Sequence, residues 1–178
     1  MASDLPGRGL WVTPRREIVE QAIAKRLFVR AARGPLIVPP ALADRIEGML
    51  AQRCCDAIGL ARRAGLAFAG FERVCEAMRA RKVGLLLSAL DGAESGRAKI
   101  RALGAQLPFA QVLKAAEMGG VFGRDHVVHV ALGGGRLSRR LLADAEKMAG
   151  FRSGAVVDRG ATPAAARRVQ YDDGIGSR

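Results

Sequence analysis

Cysteine, histidine and long hydrophobic runs are all scarce in this chain. Three cysteines occur among 178 residues, two of them adjacent (Cys54, Cys55) and the third at Cys75. Neighbouring cysteines rarely bridge to each other, any pairing leaves one over, and no Cys-x-x-Cys or Cys/His spacing describes zinc. Reduced, mostly buried thiols are the expectation. The only histidines are His126 and His129. If both lie in or beside a strand, a separation of three puts them on opposite faces, which argues against a shared metal. No Ser/His/Asp constellation, nucleophile elbow or arguable carboxylate pair is present. The expectation is a non-catalytic protein without cofactor or metal.

The apolar stretches are short. Residues 83–89 and 127–132 are the longest, far below the roughly 20 residues a membrane helix needs. No charged-then-apolar leader is visible at Met1, so a cytoplasmic setting away from membranes is expected. At 49% hydrophobic residues the chain still has enough apolar material for a core.

Acidic residues are outnumbered: 17 Asp and Glu stand against 29 Lys and Arg, a net charge of +12. The excess is greatest over residues 51–150, with 16 basic and 9 acidic side chains. Such a balance favours polyanionic partners, through faster encounter and counterion release. No strongly basic helix with large exposed apolar residues points to a membrane surface.

Hydrophobic periodicity divides the chain. A helix is expected over 13–25, with Thr13 as cap and Pro14 in its first turn. It follows a short strand over 9–12. Pro35, Pro39 and Pro40 break the next stretch. A long helical pattern over 40–64 contains Gly48 and Gly59, which suggests two helices with a bend. From there strands are expected over 66–69, 84–90, 109–113 and 127–132. Helices are expected over 71–81, 94–106, 115–122 and 137–149. That alternation implies α/β layers. The expected organisation is a small α+β module over 1–50, an α/β/α three-layer sandwich with a four-stranded mixed sheet over 51–150, and a flexible tail over 151–178.

Two segments carry possible binding chemistry. The first is Leu5-Pro6-Gly7-Arg8-Gly9-Leu10-Trp11-Val12, followed by Thr13 and a basic helix reaching Lys25-Arg26-Leu27-Phe28-Val29-Arg30-Ala31. Arg8 between Gly7 and Gly9 puts a planar fork of donors on a backbone able to approach a ligand closely. A simple turn into a strand remains the other reading. This segment resembles the second half of the YlxR family, small bacterial proteins regarded as nucleic-acid-binding and linked to transcription and translation. The resemblance implies a shortened YlxR-like module with Gly7, Arg8, Gly9, Arg15, Arg16 and Lys25 on its RNA side.

The second lies in Gly59-Leu60-Ala61-Arg62-Arg63-Ala64-Gly65, Gly70-Phe71-Glu72, Leu87-Ser88-Ala89-Leu90-Asp91 and Gly123-Arg124-Asp125-His126-Val127-Val128-His129-Val130-Ala131. Together with the element order, it is similar to the superfamily of L-seven-Ae and L-thirty-e ribosomal proteins and their bacterial YlxQ-like relatives. The resemblance implies binding of bent RNA by a helix start and by the loop before the last strand. Those positions are Gly70, Phe71, Glu72 and Arg73, then Gly123, Arg124 and His126, with Arg62 and Arg63 added as nearby cations. The superfamily's kink-turn binders have Asn-Glu at the helix start and Lys a turn later. Here Phe71-Glu72 and Cys75 stand there, so the Asn that reads sheared purine pairs is missing. Each position also has a plainer reading: Phe71 as a core residue, Glu72 as a dipole partner, Arg62 and Arg63 as a solvated face. Gly133-Gly134-Gly135 lacks the P-loop Lys-Ser/Thr and reads as a turn.

The expected function is stoichiometric binding of structured RNA by a monomer, in ribosome assembly, translation, transcription or RNA processing. Ribosome or RNA polymerase components are possible further partners. The alternatives are a protein-binding adaptor of the same machinery and a double-stranded DNA binder.

Overall fold

The strands of this protein are short, and two of them are apolar at nearly every position. The computed structural model describes residues 10–32 and 35–161. The elements are α1 (Arg16–Ala24), α2 (Leu27–Ala32), α3 (Leu42–Arg63), β1 (Ala67–Ala69), α4 (Phe71–Arg79), β2 (Leu85–Ser88) and α5 (Glu94–Leu103). After these come β3 (Phe109–Gln111), α6 (Ala115–Phe122), β4 (His129–Leu132), α7 (Arg136–Ala149) and β5 (Val156–Asp158). The strands form one five-stranded sheet in the order β1-β4-β2-β3-β5. β2 and β3 run parallel, and every other pair is antiparallel.

All four residues of β2 and all four of β4 are buried. Such strands need cover on both faces of the sheet. Alternation along the strand sorts the side chains. Leu85, Leu87, Val130 and Leu132 join one apolar cluster with Cys54 and Ile58 of α3, Met118 of α6 and Leu141 and Met148 of α7. Leu86, Ala131 and Phe109 join a second cluster with Val74 of α4 and Ile100 of α5. The chain is α/β with a mixed sheet, as the alternating pattern implies.

The strand count needs correcting, from four to five. β5 pairs antiparallel with β3, Ala110 opposite Val157. Three residues between Gly154 and Gly160 are too short to show a period. The expected tail over 151–178 is corrected over its first part for the same reason. Phe151 is buried in the first cluster. Arg152, 8% exposed, donates to Glu47 of α3 at 2.7 Å and to Glu117 of α6 at 2.6 Å. Residues 162–178 lie outside the described residues.

The boundary expected near residue 50 falls inside one continuous 22-residue helix, α3. Its glycines do not break it. Leu50, Ala51, Cys54, Ala57, Ile58 and Ala61 form a buried stripe along its length. That apolar stripe outweighs the roughly 1 kcal/mol cost of each glycine. Val19 of α1 belongs to the same cluster, and the Arg16 amide donates to Gly150 O at 2.8 Å. Residues 16–24 therefore share a core with α3 and α7.

The expected strand over 9–12 is not formed at Leu10–Val12: no strand among the described residues pairs with them, and Trp11 is 92% exposed. Helix α1 starts at Arg16, later than expected, and its N-cap is Arg15 rather than Thr13. Gly133–Gly135 turn the chain from β4 into α7. A Cβ on the facing Gly84 would stand 2.4 Å from the Gly134 Cα. The backbones there are in close contact, which accounts for small residues at that turn.

Candidate nucleic-acid interface

The carboxyl ends of β1 and β2 meet the amino end of β4. Ala69 pairs with Val130, and Ser88 with His129. Each strand hands the chain to a helix start or a loop at this one edge. Gly70 follows β1 with φ of 98° and donates its amide to His129 O at 2.9 Å. A residue with a Cβ is strained in that conformation. Helix α4 starts next, at Phe71. After β2, the segment ending at Ala93 leads into α5.

The loop before β4 closes over α6. Gly123, at φ of 67°, ends α6. The Arg124 amide then donates to Gly119 O at 3.0 Å, and Val127 to Ala115 O at 2.9 Å. Gly119 makes this fold possible, since a Cβ there would stand 2.7 Å from the His126 Cα.

Between these segments lies a groove of about 370 Å³. Gly70 and Phe71 line it from α4, and Ala93 and Gly96 from α5. Arg124, His126 and Val127 line it from the loop, continuing through Val128 to His129. Phe71 is 40% exposed, and its ring meets His129 edge-on, with centroids 5.9 Å apart. His129 is buried, with Nδ1 3.0 Å from Ser88 Oγ. Burial pushes its pKa below the ordinary histidine value.

The helix start and the loop before the last strand, both implied by the second resemblance, are thus neighbours in space. Gly70, Phe71, Arg124 and His126 share the groove. Gly123 starts its loop, and Glu72 is exposed in the first turn of α4. Arg62 donates to Val121 O at 2.5 Å and lies 5.7 Å from the Phe122 ring centroid. It braces the end of α6, just before that loop. Arg63 is exposed at the end of α3.

Other expected site residues lie elsewhere. Arg73 lines a different cavity of about 400 Å³, with Phe68, Glu76 and Lys82. Arg15 and Lys25 are exposed at the two ends of α1. Arg16 is already engaged, donating to Asp44 at 2.7 Å and to Glu47 at 2.6 Å. Those bonds raise its pKa above the ordinary arginine value. Its donors thus serve α3. Gly7, Arg8 and Gly9 lie outside the described residues.

The placement expected for the two histidines is also corrected. His126 precedes β4, so strand alternation does not apply, and both histidines line the groove. Among the described residues no three His, Cys, Asp or Glu side chains gather as a metal site. The sequence reading quotes Ser88 and His129 but assigns neither to the site, and does not reach Ala93 or Gly96. A histidine inside an otherwise apolar strand is the signal that marks His129. Ser88 is 1% exposed, so the Ser88–His129 pair offers no accessible nucleophile. The groove offers an aromatic edge, a mouth cation, an imidazole and two helix starts: equipment for binding.

Neither a protein-family model nor a curated protein matches the chain. Among solved structures, one described as a protein with unknown function from Bacillus halodurans C is similar. It is 24% identical, with a TM-score of 0.50, over 52% of this chain and 96% of its own. The likeness shows the fold alone. No helix among the described residues is long and apolar enough to cross a membrane.

Proposed function

We propose that this protein binds structured RNA without chemical turnover, and that the groove beside Phe71 and Arg124 is the centre of its contact. One observation carries the reading: the start of α4 and the loop before β4, distant in sequence, close on a single groove. The chemistry suits RNA. Folded RNA is recognised through backbone shape and unstacked bases. Phe71 presents a partly exposed ring, and Arg124 a fork of donors for phosphate. The net charge of +12 favours a polyanion over most other partners.

The finer parts of the reading belong to the same proposal. They are a three-layer α/β/α sandwich of the L-seven-Ae and L-thirty-e type, joined to a YlxR-like segment. The protein would act as a cytoplasmic monomer in ribosome assembly, translation, transcription or RNA processing. With Phe71 where kink-turn binders have Asn, the reading covers structured RNA in general and does not rest on kink-turn recognition.

A second reading has an observation of its own. Helix α2 buries none of its residues. Nearby in sequence, Trp11 and Ile37 are 92% and 91% exposed. Exposed apolar side chains of this kind suit a protein partner, so the N-terminal helices would serve as an adaptor. Crosslinking in cells followed by sequencing of attached nucleic acid tests the RNA reading. A discrete set of structured RNAs supports it. A diffuse profile tracking abundance would favour the adaptor, and poor competition by RNA against duplex DNA would favour a DNA binder.

A further inference from the structure

The groove occupies one end of the sheet, and cations crowd the other. At this far end the amino ends of β1 and β2 meet the carboxyl end of β4. The Gly133 amide donates to Leu66 O at 2.8 Å, and the Gly84 amide to Leu132 O at 2.8 Å. Two turns therefore lie against each other: residues 80–84 from α4 into β2, and residues 133–135 from β4 into α7. A Cβ on Gly133 would stand 3.5 Å from Lys82 O.

Arg81 and Lys82 are exposed in the first of these turns, and Arg136, Arg139 and Arg140 are exposed at the start of α7. Among the described residues none of the five forms an ion pair. No carboxylate occurs over residues 57–71, 77–90 or 126–143, the segments that reach this end. Asp144, next along α7, is buried and bound by Arg53. Glu76 is the acid alongside: with Phe68, Arg73 and Lys82 it lines the cavity of about 400 Å³.

Local structure disfavours three of these cations. Helix α4 ends in a pair of reversed bonds, from the Arg81 amide to Met78 O at 2.9 Å and from the Lys82 amide to Ala77 O at 3.0 Å. Arg81 there has φ of 53°, the left-handed position that glycine normally fills. Arg136 and Arg139 stand where the partial positive charge at the start of α7 opposes cations, and no acid occupies that first turn. Arginine is kept where the fold alone favours glycine or an acid. The repulsion among the five lowers stability further, and a bound polyanion offsets it.

We propose that this far end is a second RNA contact, holding the phosphate backbone of a double-helical segment while the groove holds unpaired nucleotides. Four of the five cations are arginines, whose forks suit phosphate. No aromatic ring is available among residues 79–84 or 133–140 for stacking on bases, so the contact reads backbone and shape. No large apolar side chain of those residues is exposed, and Leu66 beside them is 42% exposed. A protein interface or a membrane surface calls for more apolar area than that. Four residues of β2 separate the two ends, about 13 Å of extended chain, so one phosphate cannot serve both. The inference rests on the RNA reading, and it adds a contact that the groove does not supply.

The test is binding of the full chain to a blunt RNA duplex of about 20 base pairs across a range of salt concentrations. Arg81→Gly/Arg136→Ser is expected to lower affinity by about tenfold and the salt slope by about two, with an equal or higher melting temperature. Arg45→Ala/Lys99→Ala removes the same charge elsewhere and should bind the duplex as the parent does. Arg124→Ala should also keep duplex binding. Equal losses in the control pair overturn the inference, since the overall charge then suffices. Parent-like affinity and slope in Arg81→Gly/Arg136→Ser, with structured RNA still bound through Arg124, overturn it and leave the RNA reading standing. A parent chain that binds neither the duplex nor structured RNA overturns both. Polyglutamate bound more tightly than the duplex at equal charge overturns the inference in favour of an acidic protein partner.

Discussion

Gly119 and His126 are in contact across the turn that ends α6: a Cβ on Gly119 would stand 2.7 Å from the His126 Cα and 2.6 Å from Arg124 O. The loop lining the groove therefore depends on a missing side chain one turn away. Gly119→Ala must displace Arg124 and His126. The expected result is a loss of about 1–3 kcal/mol in stability, with RNA affinity falling by about tenfold. Gly120→Ala is the control, since a Cβ there meets nothing within 4 Å. That variant should match or exceed the parent by up to about 1 kcal/mol. Urea denaturation and RNA titration of both variants check the pair.

Arg16 and Arg124 separate structure from binding. Arg16 is committed to Asp44 and Glu47. Arg16→Ala should cost about 1 kcal/mol of stability and leave the salt dependence of RNA binding unchanged. Arg124→Ala should do the opposite, lowering the salt slope by about one without moving the melting temperature. Calorimetry and binding titrations on the same two variants decide it.

The difference between those arginines is not legible in the sequence. Arg16 stands beside Arg15 and Glu17, and Arg124 between Gly123 and Asp125, and only the approach of α3 to α1 shows which one is engaged. What is legible is what period and turn chemistry encode. Helix α6 falls on the expected residues, and the burial of Leu85–Ser88 follows from its apolar run. β5 escapes a sequence reading because three residues carry no period. The groove is half legible: Phe71 and Arg124 come from resemblance, while His129 needs the pairing of β4 with β2 to set it beside Ser88. Gly96 and Gly119 act by leaving space, which a sequence does not display.

Arg152 predicts an acid dependence. Burial pushes the Glu117 carboxyl up, but the Arg152 hydrogen bonds and the Lys114 amide bring it below the usual glutamate value. The bonds to Glu117 and Glu47 likewise raise the Arg152 pKa. A carboxylate with a lowered folded pKa stabilises the fold above its unfolded value of about 4.3, and that stability is lost as pH falls through the lower folded value. Arg152→Met leaves Glu47 and Glu117 without their shared cation. Glu47 keeps Arg16 and Glu117 is part-exposed, so the expected cost is about 1–3 kcal/mol at pH 7, shrinking as acid protonates Glu117. Urea titrations at pH 7 and pH 3 measure the difference.

Cys54 and Cys55 should be inert while the protein is folded. Burial pushes the Cys54 thiol up to about 12 and the Cys55 thiol up to about 11. Thiolate is the reactive form, so labelling by iodoacetamide at pH 8 should be slow for both. It should become rapid in denaturing urea. Fast labelling of Cys54 in the native protein would mean that α3 separates from α7 more readily than their packing allows.

The central claim is that the groove is where RNA binds, and its most direct test is RNA affinity across a range of salt concentrations. Structured RNAs recovered by crosslinking serve as probes for the parent chain and for Phe71→Ala/Arg124→Ala. The account predicts that the double variant stays folded, loses about tenfold or more in affinity, and shows a salt slope smaller by about one. Equal affinity and equal slope for the two proteins would contradict it and move the RNA contact elsewhere on the chain.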